Sequence, residues 1–125
     1  MNKIVKGLMI AGTLGASLMA FTRTADAKDK DGNIVIVIDP GHGGEDPGSL
    51  ATTGATESKC NYAIAEVMKK ELSKYDGVKV YLTREEDTWM TNMGRAMIAA
   101  DLNADFLISI HNNSGSDTNT GALAF

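Results

Sequence analysis

From Asn33 to Asp39 the chain carries an unbroken apolar run, Ile34-Val35-Ile36-Val37-Ile38, in which every residue is β-branched. A strand with one wet face would alternate, so this run predicts a strand buried on both faces, as in a parallel sheet. Pro40 and the glycines after it end the strand. The period changes between Thr56 and about Tyr75, where Ile64, Met68, Leu72 and Tyr75 recur at spacings of four and three, with Ala63 and Val67 beside them. That spacing predicts an amphipathic helix, stopped by Asp76-Gly77. Val78 to Leu82 reads as a second strand. Asp87 or Thr88 is the expected cap of a second helix, whose apolar stripe would be Met90, Met93, Met97 and Ala100. Phe106 to Ile110 is the third strand, and it runs directly into His111.

Strand, helix, strand, helix, strand predicts an α/β fold with right-handed connections and a parallel-type, three-layer arrangement, helices on both faces of the sheet. Helices on opposite faces would make the first strand central, with the third beside it. Gly121 to Phe125 could begin a fourth strand, at which point the chain stops. The domain is therefore expected to be truncated after the third or fourth strand.

The first 27 residues follow a different pattern. Lys3 and Lys6 precede an apolar stretch from Gly7 to Phe21, and Ala25-Asp26-Ala27 places small residues at two alternate positions. Charge, oil and small residues in that order predict a secretory signal over residues 1–27. A membrane anchor is the alternative, but the apolar stretch is shorter than the roughly 20 residues that cross a bilayer. Cleavage would leave residues 28–125 as a secreted domain with no stable membrane anchor, placed outside the cell or in the cell wall or periplasm. That segment holds nine Lys and Arg against fifteen Asp and Glu, a net charge of −6. Such an acidic balance argues against nucleic acid as a partner. Cys60 is the sole cysteine, so stability must come from packing or a metal rather than an internal disulfide.

In open α/β sheets the reactive groups gather beyond the carboxyl ends of the strands. His42 lies just past the first strand and His111 just past the third, and they are the only two histidines. Glu57 opens the first helix, which must start at the same rim. Two imidazoles and a carboxylate form a common catalytic zinc set with a fourth position for water. Each residue also has a plainer reading. A histidine beside a strand end is often a loop hydrogen-bonding residue, and a glutamate at a helix start is favoured by the helix dipole. No HExxH helix, G-x-G-x-x-G loop, G-K-[ST] or G-x-S-x-G motif occurs. This argues against a nucleotide-binding module and a serine hydrolase.

The motif Val37-Ile38-Asp39-Pro40-Gly41-His42-Gly43-Gly44, followed by Asp46-Pro47-Gly48, resembles the opening of the zinc-dependent N-acetylmuramoyl-L-alanine amidases of the family 3 type. The likeness continues at Gly54, Glu57, Leu82-Thr83-Arg84, Asp87, Arg95, Ala104-Asp105-Phe106, Ile108 to Asn113 and Gly121 to Phe125. It implies a peptidoglycan hydrolase in which His42, Glu57 and His111 hold Zn2+ and a zinc-activated water cleaves the amide between N-acetylmuramic acid and L-alanine. The family's general acid/base glutamate would lie beyond Phe125, so residues 28–125 are expected to be a partial catalytic domain. The alternative is a catalytically incomplete fragment that binds zinc or wall fragments without hydrolysis.

Other residues receive plainer expectations. Asn113 matches a family asparagine and is a candidate substrate contact. Asp46 is read as loop structure, Glu45 as solvent-facing, and Arg84 and Arg95 as ties between loops. Cys60 is expected inward and inert, and the methionine stripe is expected in the core. The glycines after Pro40 are expected to turn the backbone sharply and leave room for a bulky glycan-peptide.

Overall fold

The β-branched run forms the middle strand of a three-stranded parallel sheet. The computed structural model describes residues 28–114. Its elements are β1 (Ile34–Pro40), α1 (Glu57–Leu72), β2 (Val78–Leu82), α2 (Asn92–Asp101) and β3 (Phe106–Ile110). The sheet order is β2-β1-β3, with Ile34 to Ile38 beside Val78 to Leu82, and Ile36 to Pro40 beside Phe106 to Ile110. The expected signal segment and fourth strand lie outside the described residues.

Pro40 ends β1 without cost to the ladder, because the next amide, Gly41, donates to Ile110 O at 2.9 Å. Asp105 secures the opposite end. Its amide donates to Val35 O at 2.8 Å and its carboxylate accepts from Val35 N at 2.7 Å. The crossovers β1-α1-β2 and β2-α2-β3 run in opposite directions, and right-handed connections then place the helices on opposite faces. All three strands deliver their carboxyl ends to one rim, occupied by Gly41, Thr83 and His111.

Val35, Val37, Ile38 and Ala65 form the buried apolar core, while Ile34 and Ile36 are half-buried. Burial of β1 is thus complete only toward its carboxyl end. Fully burying a residue such as Val37 or Ile38 contributes about 1.5–3 kcal/mol.

The helices differ from the sequence expectation in the face they bury. α1 begins at Glu57 after Thr56 and ends at Leu72, three residues before Tyr75. Its inward side is Ser58, Asn61 and Ala65, continued by half-buried Met68 and Leu72; Ile64 and Tyr75 are exposed. Small and polar residues face inward because that end of the helix approaches the rim backbone, where polar groups need partners. Cys60 is exposed, not inward. α2 is capped by Thr91, whose side chain accepts from Gly94 N at 3.0 Å, and not by Asp87 or Thr88. The methionine stripe is likewise not core: Met93 is 70% and Met97 56% exposed, and only Met90 is half-buried. α2 turns Arg95 inward instead, since a buried carboxylate on β1 awaits it.

Candidate metal centre

The carboxylate that receives Arg95 is Asp39, the last side chain on the Val35–Val37 face of β1. Thr83 Oγ1 donates to its Oδ1 at 2.6 Å, Arg95 Nη1 to Oδ1 at 2.8 Å and Ser109 Oγ to Oδ2 at 2.8 Å. Burial alone would push this carboxyl up, but the donors from Thr83, Arg95 and Ser109 hold it below its ordinary range. All three strand ends and α2 are tied to one buried oxygen pair.

Above this anchor the chain reverses through glycine-rich sequence, and His42 adopts φ 61°. The structure changes the role expected for two glycines. A Cβ on Gly41 would collide with the Cε1 edge of the His111 ring, and one on Gly48 would lie 2.5 Å from His42 Cδ2. The space these glycines leave is filled by the protein's own imidazoles, not reserved for a substrate.

His42, Glu57 and His111 come together as the strand-end argument required, each offering a ligand atom within 4.8 Å of the others. Glu57 is at the centre. Its Oε1 lies 3.2 Å from His42 Nε2 and 3.1 Å from His111 Nδ1, and accepts from Asn112 N at 2.9 Å. Its Oε2 accepts from Ser49 N at 3.0 Å. Burial opposes ionisation, but the Ser49 and Asn112 amides and the His111 imidazole overcome it and hold the carboxyl at about 2. The two rings meet edge to face, with centroids 4.9 Å apart and planes at 81°.

Asp46 does more than shape its loop. Its Oδ1 accepts from Gly48 N at 3.0 Å, and its Oδ2 lies 2.9 Å from His42 Nδ1. The bond to His42, with that from Gly48, holds the Asp46 carboxyl low, so it is an acceptor and Nδ1 must carry the hydrogen. In the neutral ring Nε2 is then a bare lone pair facing the Glu57 carboxylate. Two acceptors at that separation require a cation or a proton between them. Two imidazoles and one carboxylate are a donor set suited to a divalent transition metal, and a carboxylate behind a ligating histidine fixes its tautomer and orientation. The residues present therefore fit a metal.

A cavity of about 670 Å³ opens beside the cluster, lined by His42, Asp46, Trp89, Met90, Leu107 and His111 among others. Glu45 is exposed, as expected. Asn113 is exposed two residues beyond His111 and does not line the cavity. Arg84 and Arg95 tie loops together, as expected. Residues that sequence reasoning passed over are Asp39, Ser109 and the pair Asn61 and Asn112. Asn112 Nδ2 donates to Asn61 Oδ1 at 2.7 Å, and Asn61 Nδ2 to Gly41 O at 3.3 Å. Nothing in their local spacing marks them, because each bond spans more than 19 positions.

Residues 36–125 match the family model described as N-acetylmuramoyl-L-alanine amidase. The chain is 40% identical over 86 residues to the sporulation-specific N-acetylmuramoyl-L-alanine amidase of Bacillus subtilis, a match covering 68% of this chain and 33% of that protein. It is 38% identical over 82 residues to N-acetylmuramoyl-L-alanine amidase AmiC of Escherichia coli O6:H1, covering 66% and 20% respectively. Among solved structures, an N-acetylmuramoyl-L-alanine amidase from Clostridium difficile 630 superposes with a TM-score of 0.67 at 36% identity, covering 72% of this chain and 49% of that one. The catalytic domain of CwlV from Bacillus (Paenibacillus) polymyxa gives 0.65 at 35% identity, covering 69% and 49%. The chain thus spans a third or less of these curated relatives and about half of the solved structures.

Proposed function

The chain belongs to the N-acetylmuramoyl-L-alanine amidase family, and we propose that it serves a peptidoglycan hydrolase that cleaves the amide between N-acetylmuramic acid and L-alanine. The single observation that carries this reading is the His42–Glu57–His111 cluster, whose ligand atoms lie within 4.8 Å of one another. These three residues would hold Zn2+. When bound, zinc acts as a Lewis acid and lowers the pKa of its water to about 7. Glu57 supplies the negative charge, Asp46 fixes the ring of His42, and the adjoining cavity receives the glycan-peptide. Asn113 is proposed as a contact at the edge of that substrate.

Proton delivery to the leaving amine requires a general acid, and none is assigned among the described residues. Residues 1–27 are proposed as a signal for export, which matches a substrate located outside the cytoplasmic membrane. Among the described residues no helix is long and apolar enough to cross a membrane. N-terminal sequencing of exported material should begin at Lys28; an intact Met1 would overturn that assignment.

A second reading has its own support. Phe106 on β3 is 57% exposed, an apolar side chain left open in residues 28–114. By this reading the chain binds zinc or wall fragments without hydrolysing them. Elemental analysis and stem-peptide release from purified peptidoglycan test both readings. About one zinc per chain is expected, lost in His42→Ala and His111→Ala, because three protein ligands make the site. Full zinc in both variants would sink the metal assignment. By the second reading the chain binds zinc but releases no stem peptide. Chelator-sensitive hydrolysis at full rate by the chain alone would remove the second reading and place the proton carrier within it.

A further inference from the structure

Three consecutive carbonyls at the head of the metal loop are held by two arginines. Arg95 Nη1 donates to Pro40 O at 2.8 Å and its Nη2 to His42 O at 2.8 Å. Arg84 Nε donates to Pro40 O at 2.8 Å and its Nη2 to Gly41 O at 3.0 Å. Both arginines are buried, at 4% exposure for Arg84 and 6% for Arg95. Arg84 directs its donors at five backbone carbonyls in all: those of Pro40, Gly41, Ser58, Glu85 and Glu86. A β-strand points successive carbonyls in alternating directions, so gathering three of them on one pair of guanidinium groups requires the backbone to reverse. His42 makes that reversal at φ 61°. For an L-residue other than glycine this conformation is strained, although histidine tolerates it better than most.

We propose that Arg95, assisted by Arg84, is a positioning residue for the metal: its guanidinium grips the carbonyl of His42 and holds that residue in the left-handed conformation from which Nε2 reaches Glu57. Arg95 is itself set by Asp39, so the grip is anchored in the sheet. A guanidinium is needed because one rigid plane reaches three carbonyls, those of Pro40, His42 and Met90, and the Asp39 carboxylate at fixed angles. A lysine ammonium in its place could keep the charge but not the fork. The inference rests on the metal reading of the cluster. It predicts an effect on affinity distinct from the effect on folding.

The test is zinc titration of the full chain against a chromophoric chelator, with thermal unfolding of the metal-free protein measured alongside. Arg95→Lys should remain folded and bind zinc some 10–100-fold more weakly, the usual effect of losing a residue that orients a ligand. Arg84→Lys, which loses no bond to His42, should weaken binding less. Val35→Ala, in the core and away from the loop, should lower Tm without changing affinity. Parent-like zinc affinity in Arg95→Lys would overturn the proposal. So would an Arg95→Lys that cannot fold, or a Val35→Ala that loses affinity in step with its Tm, since either makes the arginine a stabilising residue alone. If the parent binds no zinc, the metal reading falls and this inference falls with it.

Discussion

The carboxyl rim of β1 and the outer surface beyond β3 belong to one small sheet, yet they are organised in opposite ways. At the rim, Asp39, Glu57, Arg84 and Arg95 are buried, and their polar atoms are bonded to strand ends, loop carbonyls and one another. At the outer surface, apolar Phe106 faces solvent, as do Met93 and Met97 on α2. In most small domains the apolar core is the rigid part and the polar surface the adaptable one. Here the polar rim is the most highly determined region, and the apolar positions away from it are loosely enclosed. A buried charge with every partner in place is costly to disturb, whereas an exposed methionine has little left to lose.

The largest expected effect comes from breaking the rim sterically. Gly41→Ala drives a methyl group against the His111 ring, so zinc binding should be abolished, which equilibrium dialysis would detect. Full occupancy in this variant would show that the close approach of Gly41 and His111 is not needed by the site.

Next is the buried ion pair. Asp39→Ala leaves Arg95, Thr83 and Ser109 without their common acceptor. Removing one member of a buried pair costs about 3–5 kcal/mol, and urea unfolding should show a loss of that size. A loss no larger than that of an exposed residue would contradict the contrast between rim and edge.

Acid should act through the same region. The folded carboxyl of Glu57 is depressed from 4.5 to about 2, and that of Asp39 is also lowered. A depressed folded value means that each group stabilises the protein fully above its unfolded value and loses that contribution as pH falls through the folded one. Through these two groups, chelator-treated protein should lose stability as pH falls from about 4.5 toward about 2. Glu57→Gln should flatten part of that decline. An unchanged acid profile in this variant would remove Glu57 from the account.

The smallest effect belongs to the edge. Met97→Lys should change stability by no more than about 0.5 kcal/mol, leave zinc affinity alone and reduce self-association in sedimentation experiments. A large stability loss would mean that the outer face is more closely packed than its exposure indicates.

Much of this fold was legible from local pattern. The β-branched run, the two later strands and the helix between residues 57 and 72 follow from spacing and stop signals within a few positions. The errors share a cause. Apolar character at helical spacing predicts Ile64, Tyr75, Met93 and Met97 inward, yet the helices turn Ser58, Asn61 and Arg95 inward. Periodicity reports which side of a helix is oily. It cannot report that a carboxylate elsewhere in the chain has claimed the polar side. Asp46 was read as a loop residue for a similar reason, since a carboxylate four places after a histidine carries no mark of facing its Nδ1.

By itself, then, the amino-acid sequence determined the order of elements, the rim at which they end and, through its motifs, the family and the three candidate ligands. Tertiary structure decided the carboxylate that faces His42 Nδ1, the partner that fills the space beside Gly41 and Gly48, and the burial of two arginines under the loop. The division follows the range of the forces. Backbone propensity and hydrophobic period act over a turn or a strand, while the Asp39–Arg95 bond joins residues 56 positions apart and the His111–Glu57 contact 54. Only when the sheet brings those residues together do their charges determine one another's place.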